Sequence, residues 1–269
     1  MKSDPVVAYV AVPSENAASA GEVLHELTPR LGLVDAIHLC RRAPSHPGRM
    51  IPHAPSAVGG TILSETWLAS ADWVTRDLHA EPSDVGRIVV AVDWPVSPAI
   101  ETTLLLNRLN TGAIRLAVRV TSSDAERIFL YFNRLGFPWF ALPDGDVDDT
   151  GWASVIATLG RLWCLDARGR TPVEPIQTLF TQLLAELLDR TAPAWRYIAV
   201  DAGHSTVTPH ASWSPSIHAA LVADPDRASP TRLQSLAQAD HAWMDEFRAR
   251  HGGRLRELLT ADAVTGVTR

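Results

Sequence analysis

The chain has 269 residues, 46% hydrophobic and 20% charged, with a formal net charge of −6. That composition supports a substantial core and excludes a disordered chain, and the length suits one large α/β domain or two small ones. A mildly acidic chain without a basic cluster is unsuited to nonspecific nucleic-acid binding, and its two cysteines, Cys40 and Cys164, have no ligand spacing for zinc or a disulfide framework.

Val6 to Val12 (VVAYVAV) is an uncharged, β-branched run that predicts a first strand, closed by Pro13. Ser14 suits a helix N-cap and Glu15 its first turn, so a helix is expected to Leu31. Asp35 to Cys40 predicts a second strand leading into Arg41 and Arg42. Four prolines and three glycines between Pro44 and Gly60 exclude regular structure there, leaving a lid or a disordered segment. Thr61 to His79 then reads as a helix, with Ile62, Trp67, Ala71 and Val74 near helical spacing.

From Gly86 to Pro143 the pattern is strand, helix, strand, helix, strand. The three runs are RIVVAV ending at Val92, IRLAVRV from Ile114 to Val120, and FPWFAL from Phe137 to Leu142. Helices are expected over 97–107 and 122–135. Two consecutive βαβ units require a parallel sheet, because each helix returns the chain to begin the next strand in the same direction. Asp144 to Asp149 (DGDVDD) is an acidic turn that lacks the ligand order of a calcium loop, so a solvated turn is favoured over a metal site. Helices follow over 152–165 and 173–190, the second with the amphipathic stripe Ile176, Leu179, Phe180, Leu183, Leu184 and Leu187.

Trp195 to Val200 predicts a strand ending at Asp201-Ala202-Gly203-His204, and Ser216 to Val222 is a possible further strand beyond a turn-rich segment. Ser229-Pro230 opens a final helical region, broken at Gly252-Gly253. The MKSDP start has no apolar signal region and no run is long enough to span a membrane, so a soluble, cytoplasmic protein is expected.

Five strands thus precede the long helix. In parallel α/β folds, ligands bind beyond the carboxyl ends of the strands. That rule selects Ser14 and Glu15, Arg41 and Arg42, Asp93 and Trp94, Arg119, Asp144, and Asp201 with His204. Asp93, Asp201 and His204 are the candidate catalytic groups, since a carboxylate can orient an imidazole that then acts as a base. Glu15, Arg42, Trp94, Arg119 and Asp144 are the candidate substrate-binding groups. The same positions also suit helix caps and loop charges. His210 and His218 lie near His204, but the spacing fits no ligand motif, and no metal is expected. Nucleophile elbows, Walker loops and dinucleotide fingerprints are absent from the chain.

Three pieces resemble the later part of radical S-adenosylmethionine enzymes that mature ribosomally made peptides. They are IRLAVRVTSSDAERIFLYFNRLGFPWFALPDGD, GWASVIATLGRLW with TPVEPIQTLFTQLLAELL, and WRYIAVDAGHSTVTPHASWSPSIHAALVADP, spanning roughly residues 113–260. The family's three-cysteine C-x-x-x-C-x-x-C loop belongs after the first strand, where this chain reads VPSENAASAGEVL. Its G-G-E-P motif is replaced by DWPVSP, and its auxiliary-cluster cysteines have no counterpart. Two cysteines cannot supply three thiolates to a cluster, so the resemblance implies a cysteine-less relative without cofactor. The expected fold is a single α/β domain over 1–269 with a C-terminal helical extension from about 229. It forms a full or partial parallel (βα) barrel, or alternatively an open doubly wound parallel sheet. The expected role is a cluster-free protein that binds a peptide or a partner maturation enzyme in ribosomal-peptide modification. The alternative is an α/β-barrel hydrolase, lyase or transferase using Asp/His acid–base catalysis.

Overall fold

The structure is a computed structural model describing residues 6–12, 25, 35–42, 56–58, 61–70, 87–106, 114–144, 149–165, 171–188, 196–201, 206–210, 214–223 and 229–265. Its strands are β1 (Val6–Val12), β2 (Ala36–Arg42), β3 (Ser56–Val58), β4 (Thr61–Ser70), β5 (Arg87–Val92), β6 (Ile114–Val120), β7 (Trp139–Pro143), β8 (Val173–Glu174), β9 (Arg196–Asp201) and β10 (Thr206–His210). Its helices are α1 (Pro98–Leu106), α2 (Ala125–Leu135), α3 (Asp149–Leu165), α4 (Ile176–Leu187), α5 (Pro215–Ala223) and α6 (Pro230–Thr265).

One sheet holds all the strands among the described residues, in the order β10-β9-β1-β2-β4-β5-β6-β7-β8, with β3 paired to β4. From β9 to β8 every neighbouring pair is parallel, while β3 and β10 are antiparallel additions. The protein is therefore α/β with a parallel sheet. The order climbs with the sequence from β1 to β8, and then the chain crosses back so that β9 pairs with β1, Val6 beside Arg196.

Alternation along the strands separates two faces. One face carries Val90, Val92, Leu116, Val118, Val120, Trp139 and Ala141, all buried. The helix α2 covers it with the stripe Ala125, Ile128, Phe129, Phe132 and Leu135, and Phe132 stacks on Trp139 with ring centroids 5.4 Å apart. Full burial of side chains this large contributes about 2–3 kcal/mol each, which fixes the helix to the sheet. Gly136 ends α2 in the left-handed region at φ 72°, its N–H donating to the carbonyl of Phe132.

The opposite face is more polar and surrounds α5. This nine-residue helix touches β1, β2, β4, β5, β7 and β8. In a flat sheet β1 and β8 would lie about 29 Å apart at the usual strand spacing. A helix of that length spans about 13 Å. The sheet therefore curves around α5, with α5 on the concave side and α2 on the convex one. Every residue of α5 except His218 is buried.

Several expectations are corrected. Thr61 to Ser70 is a strand, not the start of a helix; its β-branched and aromatic residues suit a pleated surface, and β2 and β5 pair with it on both sides. Residues 71–79 of that expected helix lie outside the described residues, as does nearly all of the expected helix over 14–31. Ser216 to Val222 is helix, not strand. Pro215 stands at its first position and Ser214 Oγ accepts the Ile217 N–H at 3.1 Å, both helix-start signals that a short apolar run conceals. Val173 and Glu174 form β8, so the expected long helix begins only at Ile176. The turn-rich segment contains β10, and the 44–60 loop contains β3. Among the described residues eight strands, not five, precede α4.

The 36-residue α6 runs through Gly252 and Gly253 without a break. Gly252 is buried, and a methyl there would meet Leu187 and Arg248 at 3.5 and 3.4 Å, so packing on α4 holds this turn despite the poor helix propensity of glycine. Gly160 of α3 is tighter. A Cβ at that position would sit 2.6–2.7 Å from the Trp243 ring, which is itself buried. Gly160→Ala is therefore expected to destabilise the fold by about 1–3 kcal/mol, overpacking outweighing the helix-propensity gain of about 1 kcal/mol. Urea titration of both proteins measures this, and an unchanged or raised midpoint contradicts the packing described.

Candidate functional site

All the parallel strands end on one edge of the sheet, and the structure brings part of the expected ring there. Arg42 ends β2, in register with Leu68; its side chain is outside the described set. Asp93 follows β5 and is exposed. Trp94 is half-buried, its ring edge-on to Tyr131 of α2 at 5.4 Å, so part of it serves the helix layer. Arg119 is the penultimate residue of β6, half-buried and in register with Leu142, and Asp144 is exposed just past β7. Asp201 ends β9, its backbone in register with Ala11 and Thr206. Three strands separate β9 from β5, and hence Asp201 from Asp93, in the sheet order. Glu15 and His204 lie outside the described residues.

Deeper on the concave face lies a cluster that the strand-tip rule passes over. Tyr9 of β1, His38 of β2 and Ser64 of β4 occupy one row, because Tyr9 is in register with His38 and His38 with Ser64. Thr66 stands two residues further along β4, on the same face. His38 binds both hydroxyls, Nδ1 to Ser64 Oγ and Nε2 to Thr66 Oγ1, each at 2.7 Å. A hydroxyl donates or accepts equally well, so this pair serves a neutral imidazole of either tautomer. Tyr9 Oη lies 2.6 Å from Nδ1 of His218, the one half-buried residue of α5. The three rings form a triangle with centroids 5.5, 5.5 and 6.0 Å apart. The sequence signal for this cluster is an imidazole, phenol or hydroxyl standing alone in runs that otherwise alternate as buried strand. Among the described residues, no group of three or more His, Cys, Asp or Glu gathers to hold a metal ion.

The helix α5 is fastened at its start by a second buried network. Asp240 of α6 accepts hydrogen bonds from the Ser216 N–H at 2.9 Å and the Ser216 hydroxyl at 2.5 Å. Trp152 Nε1 of α3 donates to the same hydroxyl oxygen at 3.1 Å. Burial pushes the Asp240 carboxyl up from 3.8 to about 6, against the lowering effect of its bonds to Ser216 and Ser214. Both thiols are free. Cys40 is buried on β2, where burial raises it to about 12, and Cys164 is half-buried on α3, raised by burial to about 11. Neither is a thiolate at neutral pH.

No family model matches the chain, and no curated protein matches it. Its likeness to solved structures is weak. Native anSMEcpe with bound AdoMet and Cp18Cys peptide aligns over 95% of this chain and 100% of that one, at 9% identity and a TM-score of 0.47. Native anSMEcpe with bound AdoMet alone aligns over 89% and 83%, at 10% identity and a TM-score of 0.41. The form with AdoMet and Kp18Cys peptide gives 9% identity and 0.42 over the same shares. No helix among the described residues is long and apolar enough to cross a membrane.

Because the folded state binds the Asp240 proton more tightly than the unfolded chain, this group favours folding most below its unfolded value of 3.8. The advantage declines as pH rises from there to about 6 and is gone above that. The difference corresponds to about 3 kcal/mol. Asp240→Asn, which cannot ionise, is expected to gain on the wild type by about that amount between pH 4 and pH 7. Denaturant midpoints across that range provide the check, and parallel profiles for the two proteins contradict it.

Proposed function

We propose that the chain is a cluster-free, partial (βα) barrel protein that binds a peptide or a partner maturation enzyme in ribosomal-peptide modification. The sequential strand order, with β9 returned to the side of β1, supports the barrel reading over a doubly wound sheet. The observation that carries the functional reading is the position of α5. The concave side of the sheet is filled by the chain's own helix, bound through Ser216 to Asp240 and through His218 to Tyr9. A partner therefore meets the carboxyl-end rim from outside, at Arg42, Trp94, Arg119 and Asp144, and Glu15 follows β1 in the sequence. The mixture of two guanidinium groups, an indole and two carboxylates suits a peptide backbone with charged side chains better than a small apolar ligand. Two cysteines cannot supply the three thiolates of an iron–sulfur cluster, which supports a role without one. In this reading the protein retains the scaffold of its lookalikes and uses it to hold rather than to transform.

Calorimetric titration of the full chain against any precursor peptide or maturase found encoded in its gene neighbourhood tests the proposal. Saturable binding to one of them is expected, weakened about tenfold, or about 1.4 kcal/mol, in the Trp94→Ala/Arg119→Ala double variant. Absence of binding to both contradicts the reading.

A further inference from the structure

The chain carries a second surface suited to a ligand, on the helical layer. A groove of about 730 Å³ runs between α3, α4 and α6. Its floor is a continuous series of aromatic rings. Trp163 packs edge-on to Phe180 at 5.4 Å, Phe180 meets Phe247 at 5.9 Å, and Phe247 meets Trp243 at 5.2 Å. Arg161, Arg250 and Arg254 also line it, all exposed. Glu246, the one acid of the lining, is 2.6 Å from Arg250, a solvated i,i+4 pair. Arg161 and Arg254 have no ion-pair partner among the described residues. Leu165, at the end of α3, adds an apolar side chain that is 68% exposed.

This local arrangement reverses the sign of the molecule as a whole, whose net charge is −6. A positive rim over an aromatic floor attracts a ligand with carboxylates flanking an apolar anchor. A long polyanion such as nucleic acid is opposed by the molecule's net charge of −6, whereas a short acidic segment engages the rim alone. The volume falls in the range of pockets that enclose a small ligand or a few side chains.

The groove is also remote from the strand-tip rim. The helix α3 starts just after β7 at the carboxyl edge and returns the chain toward the amino edge, where β8 begins. Trp163, in the last turn of α3, donates from Nε1 to the carbonyl of Thr171, just before β8, at 3.3 Å. We infer that this groove docks an acidic peptide segment of a partner protein, its leucine or aromatic anchor on the Phe180–Phe247 floor and its carboxylates on Arg161 and Arg254. The inference rests on the peptide-binding reading for the class of partner but not for the place of binding.

The test uses fluorescence anisotropy of a labelled short peptide with leucine anchors flanked by glutamates, against the full chain. Saturable binding is expected. It should weaken at least tenfold when the glutamates are replaced by glutamine, and likewise in the Arg161→Glu/Arg254→Glu variant, whose fold is checked by circular dichroism. It should remain unchanged in the Trp94→Ala/Arg119→Ala variant. Equal affinity for the glutamine peptide, no saturation, or loss confined to the Trp94→Ala/Arg119→Ala variant overturns the inference. The peptide substitution is read on the wild-type chain, so the outcome does not depend on any variant folding. Failure here with intact binding at the strand-tip rim leaves the functional reading standing.

Discussion

The bond between the Asp240 carboxylate and Ser216 governs the arrangement of the molecule. A nine-residue helix such as α5 is too short to be stable alone, and its apolar residues would expose a large surface if it left the sheet. Asp240 satisfies the N–H and hydroxyl of its first turn, and Trp152 completes the hydroxyl's bonds. An acid buried in this way costs free energy unless it is bonded, so the pair acts as one unit: neither partner can leave without stranding the other.

With α5 in place, the sheet must bend to meet it. Six strands reach the same short helix, and the polar row Tyr9, His38, Ser64 and Thr66 finds its partners on that concave side. The convex side is the ordinary apolar layer, Trp139 beneath Phe132, and needs no such matching. The two faces therefore divide the work. The outer one supplies hydrophobic stability, and the inner one supplies geometric specificity through hydrogen bonds between residues distant in sequence.

This division also explains what could be read in advance. Strands β1, β2, β5, β6, β7 and β9 were legible because buried parallel strands are continuous apolar runs. The strand β4 was not, because its concave face is hydroxylic and its sequence fits helical spacing as well as alternation. The apolar run of α5 is equally ambiguous, and only Ser214 and Pro215 disclosed a helix start. At Gly252 the helix continues despite glycine's low propensity because that turn is buried. For the site, strand direction was enough to set Arg42, Asp93, Arg119, Asp144 and Asp201 along one edge. The Tyr9–His38–His218 triangle needed the β1–β2 register and the placement of α5, neither of which is local information.

The pairing of β1 with β9, and the bond from Tyr9 to His218 across 209 residues, have a consequence for how the chain is made. While the ribosome is still extending the polypeptide, β1 has one finished edge and one bare edge whose partner does not yet exist. Contacts of such long range are slow to form, and an unmatched strand border is a template for aggregation until they do. Protein of this design is expected to depend on shielding during synthesis, by chaperones or a companion subunit, more than its composition alone would suggest.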